Sequence, residues 1–343
     1  MRAARRGALL AVALLAFVLA LELLKKGAAG IVPILRGLDV DGPAGGVGFG
    51  WLMACIVLSG SPVAAIALTL LASGALTTPE AFAMVGGSRL GASFVVLLIG
   101  LVDDLRQRRT EKRSAYIGVA ALVSTSIVYL PAMALGYGAL ETGLLQGLRF
   151  EGRLVASVVT AVCGPVTSFL ARFVPGAFLF VVGVLALLGA FRVFDGLLPD
   201  LQGRGPVATA GRVIYRPWPM FLIGAAVTSL TLSVSVSLSL LVPLAAKGFV
   251  RRENVWPYIL GANITTFIDT LFAGALVGHP DAVRIVAILM ASVTLLSLPI
   301  VLLVPHAFER LVDRVARRAT RSSRALAGFV ALLLFVPALL LAL

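Results

Sequence analysis

Apolar stretches about as long as a bilayer is thick recur along the whole chain, and no other feature narrows the fold as far. A helix needs roughly 17–25 largely apolar residues to cross hydrocarbon. Such stretches lie near residues 8–24, 79–102, 115–137, 151–174, 176–194, 254–278, 281–304 and 325–343. Two more, 44–76 and 218–250, are apolar but interrupted. With 59% of residues hydrophobic and 13% charged, an ordinary soluble domain is excluded and an all-α polytopic membrane protein is expected. The net charge of +13 would suggest nucleic acid in a soluble chain. Here the basic residues sit largely in short loops, as cytoplasmic loops do under the positive-inside rule, so nucleic acid is not expected. Cys55 and Cys163 fall inside apolar stretches, which argues against a disulfide.

Hydroxyls and glycines interrupt the apolar sequence twice, in the same order. Leu58-Ser59-Gly60-Ser61-Pro62 is followed by Gly87-Ser88-Arg89-Leu90-Gly91-Ala92-Ser93. The run from Thr228 to Ser239 is followed by Gly261-Ala262-Asn263-Ile264-Thr265-Thr266. The interval is 28 residues both from Ser59 to Gly87 and from Ser233 to Gly261, and the offset from Leu58 to Leu232 is 174. No gap is needed from Gly50/Gly224 to Gly100/Gly274, and Gly74/Gly248, Gly87/Gly261, Ser59/Ser233 and Ser61/Ser235 coincide. Turn-formers and hydroxyls in register are what an internal repeat leaves after divergence. The reading places a first transmembrane repeat at 1–174, with hairpin 44–76 and motif helix 79–102. A second occupies 175–343, with hairpin 218–250 and motif helix 254–278.

Pro62 and Gly60 oppose a continuous helix, so each interrupted stretch is expected to form a re-entrant hairpin whose polar tip lines protein or water near the midplane. Placing the amino terminus and both basic loops in the cytoplasm requires the copies to be inverted. One stretch is then not a simple crossing; 151–174, interrupted at Gly164-Pro165, is the expected exception. Met1-Arg2-Ala3-Ala4-Arg5-Arg6 before an apolar run is signal-like, but the run from Ala8 can span and is expected to stay. Glu22 and Lys26 are spaced for an i,i+4 pair.

These paired motifs resemble the type II sodium/phosphate cotransporter family, whose inverted repeats each carry a Gln-Ser-Ser-Ser run at a re-entrant tip and a downstream Gly-Ala-Asn-Ile-Gly-Thr-Thr-like motif. Here Leu58 and Leu232 stand where the family has Gln, Gly60 and Val234 replace the middle serine, and Arg89 replaces the first-copy Asn. The resemblance implies phosphate or a similar small oxyanion as substrate, held by Ser59, Gly60, Ser61, Arg89, Ser233 and Ser235. It implies cation binding or coupling at Ser88, Thr231, Asn263, Thr265, Thr266 and Asp269, with sodium the only metal ion. The physical logic is that an anion needs convergent amide and hydroxyl donors, and desolvated sodium needs oxygen acceptors.

Arg89 and Asp269 are charges inside expected membrane helices, each present in one copy only, since Val95 is the counterpart of Asp269. Arg89 can bind an anion or replace a coupling cation; Asp269 can carry a proton, bind a cation or neutralise Arg89; a purely structural ion pair is the rival reading. His279 and His306 fall at expected membrane edges and read as surface residues. With no Cys/His cluster and no catalytic constellation, an enzyme is not expected. The expectation is therefore a multi-pass transporter of the inner (plasma) membrane, with the oxyanion, sodium or protons, and lipid as partners and room for a homodimer. The alternative is a non-transporting scaffold or sensor that kept the fold.

Overall fold

A computed structural model describes residues 2–37, 40–106, 113–146, 153–197, 216–231, 234, 237–238, 241 and 252–343. Among them the chain is helical throughout. The first half contains α1 (Arg2–Gly27), α2 (Val32–Gly37), α3 (Gly42–Val57), α4 (Gly60–Ala72), α5 (Thr78–Ala92), α6 (Phe94–Arg106), α7 (Arg113–Glu141) and α8 (Arg153–Phe173). The second contains α9 (Gly176–Leu197), α10 (Pro217–Thr231), α11 (Val255–Thr265), α12 (Phe267–Val277), α13 (Pro280–Leu303), α14 (Pro305–Thr320) and α15 (Ser323–Leu341). Six stretches are long and apolar enough to cross a membrane: Thr78–Leu105, Ser114–Glu141, Gly176–Val193, Val255–Val277, Pro280–Leu303 and Ser323–Leu341.

The helix boundaries have local causes. Thr77 and Glu80 form a capping box at the start of α5, Thr77 N donating to Glu80 Oε2 at 2.7 Å. Glu80 Oε1 also accepts from Gly42 N at 3.0 Å, which ties the start of α3 to the start of α5. The α3–α4 break falls at Leu58-Ser59, at the amino end of the Ser59-Gly60-Ser61-Pro62 that the sequence marks as the breaker. Leu58 is left-handed at φ 58°, and Gly60, Ser61 and Pro62 form the first turn of α4. Pro62 is tolerated there because first-turn amides have no intrahelical acceptor.

Three other expectations are corrected. The stretches 79–102 and 254–278 each form one membrane-length span, but not an unbroken helix: a one-residue break divides each, at Ser93 and at Thr266. Hydroxyls in the turns before these breaks bond back to helix carbonyls: Ser88 Oγ to Val85 O at 2.7 Å and Thr265 Oγ1 to Gly261 O at 3.3 Å. Such bonds compete with the helical ladder. Gly164-Pro165 does not interrupt 151–174, since α8 runs through Pro165. Glu22 pairs with Lys25 at 3.2 Å and not with Lys26, because Lys25 also reaches Val277 O at 2.8 Å at the carboxyl end of α12.

Glycine decides how closely the helices approach. α3 packs chiefly on α5, and α10 on α11. A Cβ on Gly50 would overlap Met84 O, and one on Gly224 would overlap Tyr258 O. A Cβ on Gly87 would overlap Val47 O, and one on Gly261 would overlap Phe221 O. Both partners in each comparison lie 174 residues apart, so the offset read from sequence is preserved in three-dimensional packing. Small residues of this kind let backbones meet where apolar burial alone gives no drive for association. α4 lies behind this layer, buried from Gly60 through Leu71 against α5, α12 and α1.

Candidate functional site

Arg89 projects from the last turn of α5, where a cation is favoured by the exposed helix carbonyls, and is only 3% exposed. Its Nη1 donates to Ser61 Oγ at 3.3 Å, in the first turn of α4, and to Thr266 Oγ1 at 3.0 Å, at the α11–α12 break. Nη2 donates to Thr270 Oγ1 and stands 3.7 Å from Asp269 Oδ1, both in the first turn of α12. The Phe267 ring lies 5.0 Å from the guanidinium carbon, and Tyr129 of α7 stacks on Phe267. The buried guanidinium of α5 thus meets hydroxyls and a carboxylate from α4, the α11–α12 break and α12, elements of both halves. Two buried polar atoms here have no hydrogen bond: Arg89 Nε and Asp269 Oδ2.

No protein-family model, curated protein or solved structure matches this chain.

Asn263, the counterpart of Arg89 at the 174-residue offset, faces a different neighbourhood. Its Nδ2 donates to Thr125 Oγ1 at 3.0 Å, and Thr125 Oγ1 also accepts from Ser93 Oγ at 3.1 Å. Its backbone carbonyl takes the Tyr129 hydroxyl at 2.9 Å. Arg89 therefore presents a cation to the second half of the chain, and Asn263 presents a neutral amide to α7. A group of three or more His, Cys, Asp or Glu able to hold a metal ion is absent among the described residues.

The expected site residues separate into groups. Ser61, Arg89, Thr266 and Asp269 come together. Ser59 does not join them: it lines a cavity of about 370 Å³ with Leu58, Pro62, Phe191 and Arg192. Gly60 serves packing, since a Cβ there would stand 2.8 Å from Ser88 O. Ser88 bonds within α5 to Val85 O, and Thr231 bonds within α10 to Thr228 O at 3.4 Å. Thr265 reaches Ala225 O at 3.0 Å, the counterpart of the Gly91 approach to Trp51 O, so it joins α11 to α10. Ser233 and Ser235 lie outside the described residues. His279 caps α13 by accepting from Asp281 N at 3.2 Å, and the His306 side chain is 87% exposed.

Thr270, Thr125, Ser93 and Tyr129 belong to this neighbourhood and were not picked out from sequence. Thr270 carried a signal, because Thr266, Asp269 and Thr270 at i, i+3 and i+4 share one helix face. Thr125, Ser93 and Tyr129 carried none, since ordinary membrane helices contain such residues for packing.

Proposed function

We propose that this chain is a secondary active transporter of the inner (plasma) membrane. It carries inorganic phosphate or a similar small oxyanion with a cation, sodium by resemblance, through alternating access at a site between two inverted repeats. The observation that carries this reading is the Arg89 cluster. An ionisable residue inside a membrane helix is costly and marks a substrate or ion path by default. Here its partners come from both halves of the chain and lie at helix ends and helix breaks, where transporters place their sites. The glycine contacts repeated at the 174-residue offset support two copies of one unit.

The re-entrant hairpin is supported by length. α3 has 16 residues and α4 has 13, so they extend about 24 and 20 Å, short of a hydrocarbon core about 30 Å thick. Guanidinium charge at the site does part of what a bound cation would do for an anion brought into low dielectric. Fewer coupling ions are then needed than in transporters with a neutral amide at this position.

The second reading, a non-transporting membrane scaffold, is favoured by one observation: Arg89 is already neutralised by Asp269. Uptake of labelled phosphate into proteoliposomes under sodium, proton or no gradient separates the two. Gradient-driven accumulation supports transport; no uptake of phosphate or another tested oxyanion assigns the cluster to structure.

A further inference from the structure

We infer that α14 is a lipid-binding helix, whose arginine face takes the headgroups of anionic phospholipids in the leaflet where α13 ends. Connectivity places the helix at that surface. α13 and α15 are both long and apolar enough to span, and α14 fills almost the whole connection between them. Six of its sixteen residues are charged, so α14 does not cross, and α13 ends and α15 begins at the same membrane face. The helix, about 24 Å long, therefore lies along that face.

Its sides are sorted by chemistry. Phe308, Val312, Ala316 and Ala319 form a buried stripe that packs on protein: the Phe308 ring meets that of Trp256 at 5.1 Å, and the helix runs against α7. At about 100° per residue, Arg310, Arg314, Arg317, Arg318 and Arg321 point the opposite way, and all are exposed. The two flanks between these faces differ. Ala307, Leu311 and Val315 make an apolar flank, with Leu311 42% exposed, and Glu309 and Asp313 lie on the other. The apolar flank carries on from the exposed Leu302, Leu303 and Val304 at the end of α13, so it turns to acyl chains and the acidic flank to water. Arginines between two such flanks stand at headgroup depth.

Much of this charge is not used inside the protein. Arg317 Nε and the Tyr116 hydroxyl both donate to Asp313, at 2.7 and 2.8 Å, and Arg310 Nε donates to His306 O. Arg314, Arg318 and Arg321 have no ion pair among the described residues, and Arg324 in the first turn of α15 adds a fourth such charge. Arg314 and Arg318 follow Leu311 by three and seven residues, on its side of the helix. A phosphodiester held by this pair lays its chains along Leu311. Guanidinium groups give phosphate oxygens two parallel hydrogen bonds, and cations clustered beside a membrane span attract anionic lipid. A zwitterionic headgroup brings its own cation and loses that attraction.

The test uses the purified full chain in nonionic detergent, with phosphatidylglycerol labelled on its acyl chain as the probe. Unlabelled phosphatidylglycerol should displace it about 30-fold better than phosphatidylcholine, each of two unpaired arginines near the surface being worth roughly fivefold. Raising salt from about 0.05 to about 0.5 M should shrink that preference. Arg314→Gln with Arg318→Gln should bring the two lipids within about threefold of each other, whereas Arg314→Lys with Arg318→Lys keeps the charge and most of the preference. Equal displacement by both lipids in the native chain overturns the inference, as does a glutamine pair with the native preference. Should neither lipid be preferred and a short DNA duplex bind instead, the face belongs to nucleic acid and the inference fails. Glycerophosphoglycerol, the same headgroup without chains, should displace the probe at least about tenfold less well than the intact lipid. If it matches the lipid, the face takes a soluble phosphodiester and not the bilayer. Should the glutamine pair not yield monodisperse protein, the lysine pair and the native comparison remain decisive.

Discussion

Arg89 Nη2 and Asp269 Oδ1 face each other at 3.7 Å, one on the helix that ends the first glycine-packed pair and the other on the helix that follows the second. A buried charge left without its partner is far more costly than a pair removed together. Arg89→Met alone should therefore lower unfolding free energy by about 3–5 kcal/mol, and Arg89→Met with Asp269→Leu should recover most of that loss. Denaturant titration in detergent micelles measures both. Equal losses in single and double variants would show that the two charges are not coupled.

Under the proposed binding of phosphate by this cluster, the form of the charge matters. Arg89→Lys keeps the charge but loses the planar array that reaches Ser61, Thr266 and Thr270 together. It should weaken phosphate binding by about tenfold or more, and Arg89→Asn should weaken it further or increase dependence on sodium. Binding isotherms with and without sodium check this; unchanged affinity and sodium stoichiometry in Arg89→Asn would make Arg89 structural.

The repeated glycine contacts predict matched losses in the two halves. Gly87→Ala and Gly261→Ala each push a methyl group into a backbone carbonyl, Val47 O or Phe221 O, and should cost about 1–3 kcal/mol. Gly189→Ala is the control: its Cβ meets nothing within 4 Å inside α9, and it should gain up to about 1 kcal/mol in helix propensity. Thermal melts of the three variants read the contrast.

His279 makes the amino end of α13 sensitive to acid. Its Nδ1 accepts from Asp281 N, and burial, partly offset by Asp281, holds its pKa below the ordinary 6.5. A depressed folded value means that this stabilisation is present above the unfolded pKa and is lost as pH falls through the folded value. Melting temperature should therefore drop as pH is lowered from about 7.5 toward 5. His279→Asn caps without titrating, so the part of the slope due to His279 should vanish, with a cap worth about 1 kcal/mol at stake. An unchanged slope would place the acid sensitivity elsewhere.

Leu58 holds a left-handed conformation that costs an ordinary residue about 1–2 kcal/mol. Leu58→Gly removes that strain and should leave stability unchanged or raise it by up to about 1 kcal/mol despite the lost side chain. Leu58→Ile, β-branched, should be worse than either. If Leu58→Ile melts with the native chain, the turn has relaxed and the strain argument fails.

By itself the sequence determined the helical class, most helix extents and the 174-residue register, because hydropathy and helix-contact glycines are written locally. Gly87 and Gly261 mark the register in sequence as turn-formers, and the structure uses them as points of close helix approach. Local chemistry stopped short at the breaks. The break expected at Ser59-Gly60-Ser61-Pro62 is present, with Pro62 in the first turn of the helix after it, but Gly164-Pro165 lies inside a helix, while Ser93 and Thr266 interrupt helices without any proline. What belongs to the site was decided only by tertiary structure. Arg89 and Thr266 are 177 residues apart in sequence, and nothing near either says that they meet. The structure turned Ser61 toward Arg89 and Ser59 toward a separate cavity, because residues two apart at a helix start point in different directions. A buried charge has to find its partners wherever packing brings them, so that choice is made by the whole fold and not by any stretch of it.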